Sequence, residues 1–440
     1  MPSSHNSNAD ALPPGPGEKI DLQINEASFR HIQSLVQSYP DICRISARSR
    51  KSDSYLLNDP TLIKHVLIDN YKNYTKGIGF ERAKLLLGNG IIVSDGEQWR
   101  QRRLMVQPAF RREQLKILTR TIQTVSQALL GRLRERARRR ESIDLSATMS
   151  EFALEVMLRS LFSDDLDSMM TETGGNPFAI FTEVHERDMN LALKFRALTA
   201  LMKSVFARRR ESATEYPDML GALMAARDSH GQPMNDKALL DEVMTLIVAG
   251  HETSALTLSW MWYLLSQHPD VERRLLAEVD TLGGKMSPDY EDLSRLTFCK
   301  QVMHEALRLY PPVWLFSRRA RQDDNVGGYR IPAGSDIFVS PYFLHRREAV
   351  WSDAERFDPD RFAEPGAEKS HRATYIPFSA GPRKCIGDVF AAQEVQIHMG
   401  TVARHIVLRH ESGDPLEFDF GLNLRCKNRI KMIPQERTAL

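Results

Sequence analysis

This sequence of 440 residues predicts a mainly α-helical fold with small β-sheets. The strongest observation is an apolar segment from Asp236 to Gln267, which ends at His268-Pro269 and is continuous enough for one helix. At about 1.5 Å per residue, that helix would measure about 45 Å, enough to cross the whole molecule. The second observation is that strand-like segments are short and cluster at about residues 40–60 and 315–345. We therefore expect a helix-rich body with a small β-rich lobe.

Composition restricts the class of protein. Apolar residues make up 42% of the chain and charged residues 26%, as in an ordinary soluble globular protein. The net charge of +2 argues against a dedicated nucleic-acid binder. Cys43, Cys299, Cys385 and Cys426 lie far apart, which argues against a disulfide framework or a cysteine-based zinc site and favours a cytoplasmic protein.

The N-terminal segment is polar and rich in proline and glycine. Residues 1–19 predict a flexible tail that ends in the stiff turn Pro13-Pro14-Gly15-Pro16. They contain neither the apolar core of a signal peptide nor the roughly 20 apolar residues that span a bilayer. We expect no membrane anchor, and a single domain over residues 20–440.

Helix boundaries are visible in the first quarter of the chain. Asp59-Pro60 is an N-cap followed by proline at the first helical position, and it predicts a helix that ends near Asn70. Residues 71–94 contain several glycines, so we expect mostly loop there. A helix should begin after Ser94-Asp95-Gly96 and end or kink at Pro108.

Further elements follow from the same signals. The strand signals are Cys43–Ser46 and Asp336–Ser340, and the tail over 416–433 alternates as in a hairpin. The remaining predicted helices are two over 113–162 (split near residues 142–144), a pair over 176–211, one over 269–281, and one over 296–310 that Pro311-Pro312 ends.

The middle of the long helix breaks its own apolar pattern at Ala249-Gly250-His251-Glu252-Thr253. Gly250 costs about 1 kcal/mol relative to alanine in a helix interior. Glu252 and Thr253 are polar in an apolar segment, and such departures are expected at functional sites. From the residues alone a structural alternative stays open: a glycine for close helix packing, and a threonine bonded to the carbonyl four residues earlier.

One cysteine lies in the segment Phe378-Ser379-Ala380-Gly381-Pro382-Arg383-Lys384-Cys385-Ile386-Gly387. The adjacent cations and the start of a following apolar helix both stabilise a thiolate at Cys385. Gly381 and Gly387 allow the backbone to turn and a flat ligand to approach it closely. Composition alone leaves a small buried cysteine in a turn as an equal alternative.

The spacing Phe-x-x-Gly-x-Arg-x-Cys-x-Gly resembles the haem-ligand loop of the cytochrome P-450 family. The resemblance covers roughly residues 20–435, with three further motifs in the family's order. It implies the cytochrome P-450 fold, with a long central helix over a haem. It also implies haem b (iron protoporphyrin IX) as cofactor, Cys385 as the axial ligand of its iron, and Phe378 packed on the same side.

Trp99 and Arg103 are four residues apart and therefore lie on one helix face. Alone, they are a partly buried tryptophan beside a solvated arginine. In the family, Trp-x-x-x-Arg at this place holds the anionic haem propionates, a task that suits arginine. The resemblance implies the same role for Arg383 and for one arginine of the pair Arg318-Arg319. Counting back from the following Gly-Tyr-x-Ile-Pro-x-Gly turn favours Arg318 and leaves Arg319 open.

The resemblance also assigns residues near the substrate. Glu252 and Thr253 match the family's acid–alcohol pair, which delivers protons during oxygen activation. The resemblance implies that Gly250 leaves room for dioxygen against the helix backbone, and that Gly250 and Ala249 belong to the cofactor-binding residues. Val313 would contact the substrate beside Ala249. The weaker pocket candidates are Ile91 and Ile92. Because this lining is apolar, we expect a hydrophobic substrate such as a terpenoid, a steroid or a fatty acid.

Glu305 and Arg308 are three residues apart on a predicted helix. Such a pair usually contributes only about 0.2–0.5 kcal/mol on a surface. The family combines a Glu-x-x-Arg segment with a later arginine, here Arg361, into a triad that clamps the loop leading to the cysteine ligand.

The implied function is that of a haem-thiolate monooxygenase, which inserts one oxygen atom of dioxygen into a small molecule by hydroxylation or epoxidation. The sequence contains no dinucleotide-binding or P-loop motif, so electrons must come from a separate ferredoxin or flavodoxin with its NAD(P)H reductase. We expect a soluble bacterial protein of secondary metabolism, acting as a monomer. The alternatives are a haem-thiolate peroxygenase or isomerase, which usually lacks the acid–alcohol pair, and a non-catalytic haem-binding sensor.

Overall fold

The computed structural model describes residues 11–23, 25–50, 52–182, 189–212, 214–364, 366, 373–411 and 416–437. The chain divides into two compact units. Unit 1 comprises Met1–Ala83, His304–Cys385 and Leu416–Asn428, and unit 2 comprises Lys84–Met303, Ile386–Pro415 and Arg429–Leu440.

Helices dominate the described residues, as the sequence predicts. They are α1 (Glu26–Ser38), α2 (Pro60–Lys64), α3 (Phe80–Leu87), α4 (Gly96–Val106), α5 (Arg112–Arg139), α6 (Leu145–Phe162), α7 (Asp165–Thr173), α8 (Met189–Glu211), α9 (Met219–Ala225), α10 (Asp236–Gln267), α11 (Pro269–Asp280), α12 (Thr297–Leu309), α13 (Pro341–Leu344) and α14 (Asp388–Val402).

The strands are short. They are β1 (Ile42–Ile45), β2 (Ser54–Leu57), β3 (Tyr74–Lys76), β4 (Ile143–Asp144), β5 (Phe316–Ala320), β6 (Asp324–Val326), β7 (Tyr329–Ile331), β8 (Asp336–Val339), β9 (Ile406–His410), β10 (Phe418–Phe420), β11 (Leu424–Cys426) and β12 (Lys431–Glu436). Unit 1 contains a five-stranded sheet in the order β1-β2-β8-β5-β3, in which only the β2–β8 pairing is parallel, and the two-stranded pairs β6-β7 and β10-β11. Unit 2 contains the sheet β4-β12-β9.

Alternation along the strands builds two hydrophobic clusters in unit 1. Tyr55 and Leu57 of β2 lie in one cluster, whereas Leu56 between them lies in the other. Phe338 of β8 joins the cluster of Leu56, and its neighbour Ile337 joins that of Tyr55. Successive side chains point to opposite faces of a strand, so a sheet buried on both faces needs an uninterrupted apolar run.

Helix α10 organises unit 2, and its bounds are those that the sequence predicts. The Asn235 side chain caps its first turn by accepting a hydrogen bond from the Ala238 amide, and the helix ends before His268-Pro269. It packs most extensively against α6, and its Trp260 and Trp262 are fully buried. No helix among the described residues is both long and apolar enough to span a lipid bilayer.

The expectation of mostly loop over residues 71–94 is wrong. Strand β3 and helix α3 lie there, and the glycines flank the helix instead of interrupting it. Gly79 (φ 99°) precedes α3 and Gly88 (φ 58°) follows it, both in backbone conformations that favour glycine. Glycine therefore marks the ends of this helix, as it does at many helix termini.

Most other predicted elements are confirmed. Asp59 caps α2 through the Thr61 and Leu62 amides, and a π-helical turn, His65–Asp69, extends the helix to Asn70. In the expected pair over 176–211 the second helix is α8. Before it lies a short 3-10 turn, Ala179–Phe181, and residues 183–188 lie outside the described part of the chain. The tail forms the hairpin β10-β11, whereas β12 pairs with β9 and β4.

Candidate functional site

The Cys385 loop of unit 1 is held by its own backbone. The Cys385 amide donates to the Phe378 carbonyl oxygen over 2.9 Å, and the Lys384 amide donates to the Gly381 carbonyl oxygen over 3.0 Å. The Cys385 side chain is exposed, whereas Cys43 and Cys299 are buried. This loop therefore presents an accessible thiol on a backbone that is already ordered.

Gly381 fits the loop against the turn that follows α2. Its φ is 70°, and a Cβ atom added there would lie 2.0 Å from the Leu67 carbonyl oxygen. A side chain would therefore meet both backbone strain and a backbone atom that cannot move aside. Ser379, two residues earlier, also adopts a positive φ, of 61°.

The structure separates the two candidate arginines on β5. Arg319 donates to the Asp336 carboxylate from Nε over 3.1 Å and from Nη2 over 3.0 Å, and this carboxylate raises the pKa of Arg319. Arg318 points to the other face of the strand and is only 4% exposed. Its guanidinium lies 5.0 Å from the Phe316 ring centroid and donates to the Ser317 carbonyl oxygen.

The other candidate residues of unit 1 lie in the Cys385 loop and just after α12. Arg383 ends a 3-10 turn, Gly381–Arg383, and is half-buried. Phe378 is half-buried in the loop, and Val313 is half-buried just after the Pro311-Pro312 stop of α12.

Glu305, Arg308 and Arg361 come together in unit 1. Arg308 donates two hydrogen bonds to the Glu305 carboxylate, from Nε to Oε2 over 2.6 Å and from Nη2 to Oε1 over 2.8 Å. Arg361 Nε lies 3.3 Å from Glu305 Oε1. The Glu305 and Arg308 side chains are fully buried. Three-residue spacing alone suggests a weak surface pair, whereas this is a buried ion pair, which is strongly destabilising to break.

Arg308 also binds the chain that follows β8. Its guanidinium donates to the carbonyl oxygens of His345, Ala354 and Arg356 over 2.9, 2.6 and 3.0 Å. The Glu305 carboxylate accepts in addition from the Asp358 amide over 2.8 Å. Burial raises the pKa of Glu305, and the arginines and this amide oppose that rise. The triad therefore ties α12 to the segment 345–361.

In unit 2, the middle of α10 contains a glycine in close helix packing and a threonine bonded to the carbonyl four residues earlier, as in the structural alternative. The Thr253 hydroxyl donates to the Ala249 carbonyl oxygen over 2.7 Å. A Cβ atom at Gly250 would lie 2.1 Å from Cε of Met157 on α6, so this glycine accommodates that methionine. His251 turns towards α6, where Nε2 lies 2.8 Å from the Ser150 hydroxyl oxygen.

The same stretch is nevertheless more accessible than the rest of its helix. Residues 238–247 are nearly all buried and 254–262 entirely so, whereas Ala249, Gly250, Glu252 and Thr253 are only partly buried. Accessible surface in the middle of a buried helix is what a cofactor or substrate would cover. The accessible middle of α10 therefore fits contact with a bound cofactor or substrate.

The remaining candidates of unit 2 lie around α4. Trp99 and Arg103 are both half-buried on this helix, with the four-residue spacing that the sequence predicts. Ile91 is 7% exposed, and its amide donates to Glu242 Oε2 over 3.0 Å. Ile92 is half-buried.

Among the buried helical carboxylates that the sequence analysis missed, Glu242 and Glu394 have markedly raised pKa values. Glu242 of α10 is fully buried, and burial raises its pKa to about 7. Glu394 of α14 is 1% exposed, and burial raises its pKa to about 8. The available signal was the same as for Glu252, a carboxylate inside an apolar helical segment.

Comparisons with known proteins identify the family of the chain. The sequence profile of the cytochrome P-450 family matches residues 14–175 and 175–430. Protein LUTEIN DEFICIENT 5, chloroplastic, of Arabidopsis thaliana is 30% identical over 97% of this chain and 77% of its own length. Cyclooctatin synthase and cyclooctat-9-en-7-ol 5-monooxygenase of Streptomyces melanosporofaciens are each 34% identical, over 87% and 84% of this chain and 86% and 84% of their own lengths. The chain therefore belongs to the cytochrome P-450 family and is a haem-thiolate monooxygenase that carries haem b.

Proposed function

We propose that this monooxygenase oxygenates a terpenoid, by hydroxylation or epoxidation. The apolar candidates Ala249, Val313, Ile91 and Ile92 favour a hydrophobic substrate. One relative is named for oxygenation of cyclooctat-9-en-7-ol at position 5. Its name favours a substrate with an unsaturated carbon skeleton of this kind over a steroid or a fatty acid. The test is to titrate the protein with members of the three classes and record the low-spin to high-spin Soret shift. A shift with steroids or fatty acids alone would contradict the proposal.

Cys385 is the proposed thiolate ligand, and its exposed thiol on an ordered loop is the observation that carries the site assignment. Burial raises the pKa of Cys43 to about 12, which disfavours a thiolate there. Haem b, once bound through a thiolate, supplies the activation of dioxygen. In a Cys385→Ser variant, the thiolate band of the carbon monoxide difference spectrum should be lost. Cys426→Ser is the control and should retain the band.

Trp99, Arg103, Arg318 and Arg383 are the proposed partners of the haem propionates. The contact of Arg319 with Asp336 supports Arg318, because a guanidinium engaged by a buried carboxylate is not available to a second anion. Phe378 is the proposed packing partner beside Cys385.

Glu252 and Thr253 are the proposed proton relay. The Thr253 hydroxyl donates its hydrogen bond to the Ala249 carbonyl oxygen, so its lone pairs remain to accept a hydrogen bond from a water or another O–H donor. Glu252 is partly exposed and is suited to exchange protons with solvent. A peroxygenase, an isomerase or a non-catalytic sensor would need no such relay, so the behaviour of Thr253 variants separates these alternatives from a monooxygenase.

The remaining assignments rest on the sequence and on the relatives. The two Streptomyces relatives support a bacterial source and a role in secondary metabolism. The single domain over residues 20–440, the monomeric state, the cytoplasmic location, and a ferredoxin or flavodoxin with its NAD(P)H reductase stay predictions. A reconstituted assay with each carrier protein, measuring product per NAD(P)H consumed, tests the last of these.

A further inference from the structure

The segment 88–91, between α3 and α4, is bound to helix α10 by two neighbouring carboxylates of unit 2. The Asn89 amide donates to Asp241 Oδ2, and the Ile91 amide donates to Glu242 Oε2, each over 3.0 Å. Both bonds use backbone amides that no regular element satisfies. Helix α10 therefore supplies two adjacent acceptors for a segment about 150 residues earlier in the chain.

The two glycines of this segment allow the close approach. A Cβ atom at Gly88, whose φ is 58°, would lie 2.1 Å from Asp241 Oδ1. A Cβ atom at Gly90 would lie 2.0 Å from the Thr245 hydroxyl oxygen and 2.7 Å from the Asp241 carbonyl oxygen. Any larger residue at position 90 would push the segment away from the helix backbone.

The position of the Glu242 carboxylate on helix α10 is energetically unfavourable. Its side chain is fully buried, and burying a carboxylate without full pairing is unfavourable. Its contacts are the Ile91 amide and the Arg102 guanidinium of α4, whose Nε lies 3.6 Å from Oε1. The other charged groups nearby are Asp241 on the same helix and Lys237, which pairs with Asp241 over 3.1 Å. The segment 88–91 itself carries no ionisable side chain.

We propose that Asp241 and Glu242 are positioning residues: they fix the segment 88–91 on α10 and, through Ile91, set which hydrophobic substrates the enzyme accepts. The inference rests on the proposed function, which assigns Ile91 to the substrate pocket. Asp241 and Glu242 act through the backbone of the segment and touch neither substrate nor cofactor in this role.

Amide hydrogen exchange of the holoenzyme, followed by mass spectrometry of the peptide covering 88–93, tests the hydrogen bonds between this segment and α10 without any turnover. Glu242→Ala removes the acceptor and should speed exchange there about tenfold, the effect of losing one buried hydrogen bond. Glu242→Gln keeps an oxygen acceptor and should restore slow exchange. Glu272→Ala is the matched control, because Glu272 is also a buried carboxylate, on α11, and pairs with Arg409.

Selectivity is measured with two haem-binding probes, imidazole and 4-phenylimidazole, from their Soret shifts. Glu242→Ala should change the ratio of their dissociation constants by about threefold or more, because the bulkier probe needs the pocket wall in place. Glu242→Gln and Glu272→Ala should leave the ratio near that of the wild type.

Gly90→Ala is a second variant that tests the same inference, and it can be used if Glu242→Ala does not fold. It keeps both carboxylates but forces the segment away, so exchange and the probe ratio should change as in Glu242→Ala. Gly131→Ala on α5, where an added Cβ meets nothing within 4 Å, is its control.

Unchanged exchange and an unchanged probe ratio in Glu242→Ala and Gly90→Ala would overturn the inference. Faster exchange with an unchanged ratio would overturn the role in selectivity. Failure of the proposed function looks different: the substrate titration of the wild-type protein would give a Soret shift with steroids or fatty acids alone, while the exchange and probe results would be unaffected.

Discussion

The Ser254 hydroxyl donates a hydrogen bond of 2.6 Å to Glu394 Oε2, which ties the residue after Thr253 on α10 to a buried acid on α14. The other carboxyl oxygen, Oε1, has no hydrogen-bond partner among the described residues. A carboxyl group in such a place is more stable protonated than ionised, because ionisation would leave a buried charge without a counter-ion.

This burial predicts a pH-dependent stability. Burial raises the pKa of Glu394 to about 8 from an ordinary 4.5. Between these values the folded protein binds a proton that the unfolded chain has released, so this group's contribution to stability falls as pH rises through that window. In Glu394→Gln that fall should be absent. Urea denaturation at about pH 5 and about pH 8 measures the difference.

The control is Glu151→Gln on α6, an exposed carboxylate, which should show the pH dependence of the wild type. An equal loss of stability with rising pH in wild type and Glu394→Gln would show that Glu394 is not held protonated in the folded protein.

Thr253→Ala should uncouple electron use from product formation. The substitution removes the hydroxyl oxygen that we propose as hydrogen-bond acceptor in the proton relay, and we expect product per NAD(P)H consumed to fall to less than about half. Thr257→Ala is the matched control, because Thr257 makes the same backbone hydrogen bond one turn later, to the Thr253 carbonyl oxygen over 2.8 Å. Equal coupling in the two variants would remove Thr253 from the relay.

Arg308→Leu should destabilise the protein strongly. It leaves Glu305 buried without its main partner, and breaking a buried ion pair costs about 3–5 kcal/mol. Chemical denaturation measures the loss, and the haem content of the purified protein should fall with it. Arg330→Leu removes an exposed pair, Arg330 with Asp323 over 2.8 Å, and should cost only about 0–1 kcal/mol. A similar small cost for Arg308→Leu would mean that the triad holds little of the fold.

Arg318→Ala should speed haem loss about tenfold or more, since a charged hydrogen bond to a propionate contributes about 1.5–3 kcal/mol. Arg319→Ala should leave the rate of haem loss near that of the wild type, although it removes the contact with Asp336. Transfer of haem to apomyoglobin gives the two rates. The reverse order of rates would assign the propionate contact to Arg319.

Local signals were enough for the boundaries of many helices. The Asp59-Pro60 start of α2 and the proline after His268 each act within a few residues, and each appears in the structure where the sequence predicts it. The loop prediction for residues 71–94 failed because glycine is compatible with both a loop and a helix terminus. Only the conformations of Gly79 and Gly88 distinguish the two.

The family was readable from the sequence, because the Cys385 motif keeps its spacing in one short stretch of chain. The choice between Arg318 and Arg319 was not, since it depends on the position of Asp336, 17 residues after Arg319, beside one face of β5. Glu242 and Glu394 are further cases: their partners lie 151 and 140 residues away in the chain. Capping and spacing act within a few residues and can be read locally, whereas burial and the pKa of a carboxyl group depend on whichever distant segments the folded chain packs around it.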